Sequence, residues 1–139
     1  MCIEHFTKWV ELVPLPSKSS KDSARGLLEN VLARYGALGE ILTDQGKEFQ
    51  GEFNTLLATH EITHRLASRG HPQADGLAER MVQTMKRALR KCLMDGGGKD
   101  WDELLPYVAM GYRMSKKKAV GYSPYFLMFG RDPILQSKT

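Results

Sequence analysis

"HEITHRLASRGH", His60 to His71, is the stretch on which the fold turns. Its first five residues spell H-E-x-x-H. On a continuous helix that spacing sets His60 and His64 on one face as zinc ligands, with Glu61 as the general base of a metalloprotease. Helix here means a zinc enzyme; strand means something else. Ile62 and Thr63 are β-branched, and Ile62, His64 and Leu66 alternate with polar neighbours, so the residues favour a strand. A strand splays the two histidines apart. The longer zinc motif also fails, since it needs glycine at 67 and histidine at 70 where the chain has Ala67 and Gly70, with histidine at 71. The zinc reading is therefore remote, and both histidines read as structural.

On the N-terminal side, "GEILTDQG" reads as a short buried strand ending in the carboxylate of Asp44 and a glycine turn, and "FQGEFNTLLATHE" as a helix. Before them, "SSKDSARGLLENVLARYG" starts with Ser19 three residues ahead of Asp22, a capping box. It sets Ala24, Leu27, Leu28, Val31 and Leu32 on one helical face and stops at Gly36. The opening "MCIEHFTKWVELVPL" reads as two β-rich runs about a polar bend at Thr7 and Lys8, a hairpin ended by Pro14 and Pro16.

On the C-terminal side, "RGHPQADG" reads as a turn-rich loop, followed by a long helix from about Leu77 to Leu93. Leu77, Met81, Val82, Met85, Leu89, Cys92 and Leu93 make its apolar stripe. "WDELLPYVAMGYRMS" is another amphipathic helix despite Pro106 and Gly111, and "GYSPYFLMFGRDP" ends in a short helix capped by Ser123 with Pro124 at its first position. Strands alternating with helices predict an α/β layered domain.

Composition narrows the class. At 139 residues there is room for one core, and 42% hydrophobic against 26% charged residues excludes a disordered chain. Lys and Arg number 20 against 16 Asp and Glu, a net charge of +4 that leans toward polyanionic partners. The two cysteines, Cys2 and Cys92, are too few for a disulfide framework or a cysteine zinc site and suit a reducing compartment. The start lacks a basic segment followed by an apolar one, and no apolar run approaches the roughly 18 residues of a membrane span. An intracellular, soluble protein without a membrane partner is expected.

Two carboxylates and a basic stripe carry the candidate chemistry. Asp44 ends a strand, where ligands commonly bind, and Glu79 is expected in the first turn of the long helix. Oxygen ligands brought together from different elements suit Mg²⁺, and a pair of such ions serves phosphoryl transfer. Alone, Asp44 reads equally as a turn residue and Glu79 as a carboxylate favoured by the helix dipole. Gln83, Lys86 and Arg90 stand four, seven and eleven positions after Glu79, so the four side chains fall on nearly one line, with Arg80, Arg87 and Lys91 beside it. Such a line suits a phosphate backbone; the plain alternative is a solvated charged face.

At these residues a resemblance becomes specific. "IEHFTKWVELVPL", "ILTDQGKEFQGEFN", "HPQADGLAERMVQTMKRALR", "WDELLPYVAMGYR" and "GYSPYFLMFGRDP" follow one another as in the integrase catalytic core of gypsy-like long-terminal-repeat retrotransposons, relatives of the retroviral integrases. The resemblance covers nearly the whole chain. It implies a ribonuclease-H-like mixed sheet flanked by helices, and DNA integration in the nucleus dependent on Mg²⁺ or Mn²⁺. It also implies DNA as partner, a homo-oligomer and no small-molecule substrate. The family signature is two aspartates and a glutamate: Asp44 matches the second aspartate and Glu79 the glutamate, both as catalytic and metal-binding residues. Lys86 and Gln83 fall where the family's long helix touches DNA, and Arg87 and Arg90, on or beside the same charged line, join them as nucleic-acid-binding candidates.

Two departures follow. The interval 45 to 78 holds 34 residues, one fewer than usual, which points to a shortened loop near Arg69 and Gly70. Glu4 stands where the block "IEHFTKW" tempts a match to the first aspartate, but that block resembles the second strand. The family's first, central strand and its aspartate are expected upstream of Met1. A metal site short of one ligand predicts a chain that binds the ion weakly and is inactive or nearly so alone, since even indirect perturbation of such a site costs about 10- to 100-fold. A DNA- or protein-binding relic without catalysis is the rival reading.

Overall fold

The computed structural model describes residues 1–67, 72–95 and 100–134, with the backbone alone for 72–75, 77 and 78. The chain divides into two compact units, Val13–Glu79 and a second made of Met1–Leu12 with Arg80–Thr139.

Within the first unit, α1 (Ser20–Leu27) starts where expected. Ser19 accepts a hydrogen bond from the Asp22 amide at 3.1 Å. The box is half of one, because the Asp22 carboxylate accepts from Ser17 Oγ at 2.6 Å. The helix then widens into a π-turn over Leu28–Leu32 before α2 (Ala33–Tyr35), and Asn30 Nδ2 donates to the Gly26 carbonyl at 3.0 Å where it widens. The widening rotates the apolar face. Leu27, Val31 and Leu32 are buried, whereas Leu28, expected with them, is 41% exposed.

Gly36 ends the helix as expected, with φ 87°. Next come β3 (Glu40–Thr43), a 3₁₀ turn (Lys47–Phe49), α3 (Gly51–Thr59) and β4 (Thr63–Leu66). β3 and β4 pair in parallel, Glu40 opposite Thr63 through Thr43 opposite Leu66. Ile41, Thr43, His64 and Leu66 therefore share one face and Glu40, Leu42 and Arg65 the other, where Arg65 Nε lies 3.1 Å from Glu40 Oε2. β3 is a strand but not a buried one: Leu42 is 52% exposed, because a two-stranded ladder gives it one neighbouring strand. Phe53 and Leu57 of α3, with Ile62, complete this core. Burying each such side chain contributes about 1.5–3 kcal/mol.

The H-E-x-x-H stretch resolves as a helix end and a strand. α3 stops at Thr59, His60 caps it, and Glu61 takes a left-handed φ of 55° that turns the chain into β4. The amides of Glu61 and Ile62 return to the carbonyls of Ala58 and Leu57 and close the helix.

In the second unit, β1 (Cys2–Ile3) and β2 (Val10–Glu11) form the expected antiparallel hairpin, Cys2 opposite Glu11. Glu4 holds its bend. The carboxylate accepts from the Phe6 and Thr7 amides and the Thr7 hydroxyl at 2.6–3.0 Å, and Lys8 adopts φ 62°. Burial pushes the Glu4 carboxyl up, but these hydrogen bonds outweigh it and hold it below the ordinary glutamate range.

α5 (Trp101–Met114) runs through Pro106 as expected, burying Leu104, Val108 and Ala109. α6 (Pro124–Phe129) is capped by Ser123, whose hydroxyl accepts from the Phe126 amide at 3.0 Å, and closes on Gly130 in the left-handed region. Trp9 meets the ring of Phe129 edge-on at 5.5 Å.

The long helix α4 (Pro72–Asp95) begins five residues earlier than the pattern suggested. Most of the supposed loop "RGHPQADG" is helix, because Pro72 at the first position is preorganised for helix and Gly76 costs only about 1 kcal/mol inside one. Glu79 is consequently the eighth residue of α4, beyond its first turn. Met81 and Met85 are buried as expected, while Leu93 is 39% exposed. Arg69, Gly70 and the Leu77 side chain, on which the short loop and the start of the stripe were placed, lie outside the described residues.

Among the described residues the strands make two two-stranded sheets, one antiparallel and one parallel.

Candidate functional site

Asp44 immediately follows β3 and is exposed. Its Oδ1 accepts from the Gly46 amide at 2.8 Å, a turn closed by its own side chain, and its backbone carbonyl accepts from Thr43 Oγ1 at 2.8 Å. Oδ2 has no hydrogen-bond partner among the described residues. One carboxylate oxygen is anchored and the other is available.

Glu79 and, along α4, Gln83, Lys86, Arg87 and Arg90 are all exposed. Helical geometry holds Glu79, Gln83, Lys86 and Arg90 on one line, on a different side of the helix from Met81 and Met85. Among the described residues none of these five side chains makes an ion pair or hydrogen bond within the protein. Charged side chains of a merely structural face often pair along the helix; these stay available to outside groups.

The histidines of the H-E-x-x-H stretch are each engaged within the protein. His60 Nδ1 lies 2.9 Å from the Leu56 carbonyl, and His64 on β4 uses both ring nitrogens, Nε2 with Thr43 Oγ1 at 2.8 Å and Nδ1 with Asn54 Oδ1 at 2.6 Å. No group of three or more His, Cys, Asp or Glu side chains able to hold a metal occurs among the described residues. The Glu4 carboxylate is engaged in its own bend, by the amides of Phe6 and Thr7 and the Thr7 hydroxyl. The exposed carboxylates of Asp44 and Glu79 are oxygen donors of the kind a hard cation takes.

Cavities of about 210 and 350 Å³ lie beside α5 and α6, the first against Trp9 and Tyr125, the second against Tyr122, Phe126 and Asp132. Neither takes in Asp44, Glu79 or the α4 line. The residues missed by sequence reading are the supports of Asp44, namely Thr43, Asn54 and Gly46. Only "TDQG" hinted at them, through the turn-forming pair of aspartate and glycine.

The described residues make a mixed α/β chain with an exposed carboxylate at a strand end and a charged line on a long helix. The model of the integrase core domain family matches residues 1–72, and the chain belongs to that family. Among its relatives, the Gag-Pol polyprotein of gibbon ape leukemia virus is 34% identical over 97% of the chain, which spans 8% of that polyprotein. The Pol polyprotein of transposon 412 of Drosophila melanogaster is 29% identical over 91% of the chain and 10% of its own length. Integrase core homology thus extends to both retroviral and retrotransposon polyproteins.

Solved structures confirm the fold. The intasome of simian T-cell lymphotropic virus with PP2A regulatory subunit B56 gamma matches over 98% of this chain and 50% of that one, with TM-score 0.82 and 21% identity. The HTLV-2 integrase catalytic core domain in complex with magnesium, in a trimeric form, matches over 88% and 78%, with TM-score 0.74 and 20% identity. The ribonuclease-H-like class expected from the five sequence blocks holds.

Proposed function

We propose that the chain is the part of a retrotransposon integrase, of gypsy-like type, that supplies two of three catalytic carboxylates for metal-dependent DNA integration in the nucleus. Asp44 and Glu79 are the metal ligands, for Mg²⁺ or Mn²⁺, and Gln83, Lys86, Arg87 and Arg90 follow the DNA backbone. The observation that carries this reading is the α4 line: a carboxylate heading a row of exposed side chains with no partner among the described residues. Family membership and the free Oδ2 of Asp44 support it.

When bound, a pair of divalent ions activates the attacking oxygen and stabilises the leaving one. The chain's own contribution is to hold the Asp44 carboxylate through Gly46, to offer Glu79 from a rigid helix, and to bind phosphates by charge. The relatives' assemblies with other copies make a homo-oligomer part of the proposal. No described helix is long and apolar enough to cross a membrane.

The test is Mn²⁺ titration followed by strand-transfer assays. Weak Mn²⁺ binding should be lost in both Asp44→Asn and Glu79→Gln, and the polypeptide alone should join DNA ends poorly or not at all. Binding unchanged in both variants would remove the metal assignment, while robust joining would refute the partial-site reading. DNA binding without Mn²⁺ binding would favour the non-catalytic binder.

A further inference from the structure

The Asp44 turn is built from three elements. Thr43 Oγ1 at the end of β3 sits 2.8 Å from the Asp44 carbonyl oxygen and 2.8 Å from Nε2 of His64 on β4. The other ring nitrogen, Nδ1, lies 2.6 Å from Asn54 Oδ1 on α3. Phe53, buried on the same helix, faces the imidazole at a centroid distance of 5.7 Å and 60°, so the ring plane is set by packing as well.

Proton counting fixes the direction of these bonds. The Thr43 hydroxyl has one proton, and a carbonyl only accepts, so that proton goes to Asp44. Nε2 must therefore donate to Oγ1. At Nδ1 two arrangements satisfy the geometry: a doubly protonated ring donating to Asn54 Oδ1, or a neutral ring accepting from the Asn54 amide turned end for end. In both, Nε2 carries a proton. Were Nε2 bare, the Thr43 hydroxyl would turn to it and release the Asp44 carbonyl, loosening the turn closed by Gly46.

We propose that His64 is a positioning residue for Asp44: as an Nε2–H donor it commits the Thr43 hydroxyl to the Asp44 carbonyl and so sets the turn that presents the Asp44 carboxylate. The functional part rests on Asp44 as a metal ligand. A histidine kept only for packing would need Phe53; this one links β4 to the backbone of the candidate ligand itself.

The experiment uses the 139-residue chain in solution. Long-range ¹H–¹⁵N correlation spectra should show the His64 ring protonated at Nε2; a neutral ring protonated at Nδ1 alone overturns the proposal. Amide exchange at Gly46 should rise about 3- to 10-fold in His64→Phe, which keeps the ring against Phe53, and equally in Thr43→Val, with no further rise in the double variant. His64→Gln, which retains an N–H donor, should restore most of the protection. Gly46 exchange indifferent to His64→Phe, or no rescue by His64→Gln with native α3 resonances, sinks it. If His64→Phe fails to fold, the tautomer measured in the unaltered chain still decides.

Mn²⁺ broadening of the Gly46 amide, lost in Asp44→Asn, reports on the metal assignment separately. A turn that responds to His64 in a chain that binds no Mn²⁺ upholds the positioning and ends the metal reading. Mn²⁺ binding beside a turn indifferent to His64 does the reverse.

Discussion

The guanidinium of Arg113, one residue from the end of α5, closes on Glu11 of β2, with Nη2 2.8 Å from Oε2. Nε and Nη2 also donate to the Val10 carbonyl at 2.8 and 2.6 Å, Cζ lies 4.4 Å from the Trp9 ring centroid, and Trp9 Nε1 donates to Glu11 Oε1 at 3.0 Å. Arg113 thereby ties the end of α5 to both the backbone and a side chain of β2.

Arg113→Met should therefore destabilise the chain by about 3 kcal/mol, since it strands the largely buried Glu11 carboxylate. Arg113→Lys should recover little, because an ammonium lacks the fork that serves carbonyl and carboxylate together. Urea denaturation checks both. A loss under about 0.5 kcal/mol in Arg113→Met, the level of an ordinary surface change, would show that the network does not hold the hairpin.

Ser20 caps a helix that is not its own. Its hydroxyl accepts from the Phe53 amide at 3.0 Å and donates to the Gln50 carbonyl, 33 and 30 residues away, while Gln50 at the N-cap of α3 offers no side-chain cap. Ser20→Ala should cost about 1 kcal/mol, the ordinary loss of an N-cap, with melting temperature as the readout. Replacing Gln50 with Asp should return part of it by giving α3 a local cap. No change on Ser20→Ala would mean that water caps α3 equally well.

Local chemistry was legible in the sequence where it was local. Ser19, Ser123 with Pro124, Gly36 and the β-branched Ile62–Thr63 pair each specify their element through neighbours a few residues away, and each behaves as read. The start of α4 is not legible from glycine and proline as breakers, because proline at a first helical position promotes the helix. The exposure of Leu28 and Leu42 was not legible: the first depends on a π-turn with no periodic signature, the second on how many strands flank β3. Asp44 and Glu79 stand out as candidates by pattern, but the Thr43, His64 and Asn54 contacts join residues 10 and 21 positions apart, beyond any local motif.

Glu4 gives the hairpin a pH dependence with a definite sign. Its carboxyl titrates lower folded than unfolded, so its contribution is fully present above the unfolded value, about 4.3, and is lost as pH falls through the folded value. Glu4→Gln should destabilise the chain at pH 7, and the gap between variant and original should shrink below about pH 4 as the original loses the charged form. Denaturation midpoints at pH 7, 5 and 3 give the comparison. A gap that stays constant, or widens in acid, would mean that the Thr7 and Phe6 bonds do not favour the ionised carboxylate.

The α4 line predicts how DNA binding should respond to salt. Each phosphate neutralised by a lysine or arginine contributes about 0.9 to the slope of log affinity against log salt. Lys86→Ala with Arg90→Ala should therefore flatten the slope by about 2, across all sequences alike, while the melting temperature stays put because both side chains are exposed and unpaired. Gln83→Ala should weaken binding without changing the slope, since an amide releases no counterion. Glu79→Gln separates charge from metal: without divalent ions it should tighten DNA binding, because a carboxylate at the head of the line repels phosphate. With Mn²⁺ present the same change should bring no gain, because the original chain then carries a cation at that end. An Arg90 and Lys86 double variant with an unchanged slope would reduce the line to a solvated helix face and leave the family assignment, which rests on sequence, as it is.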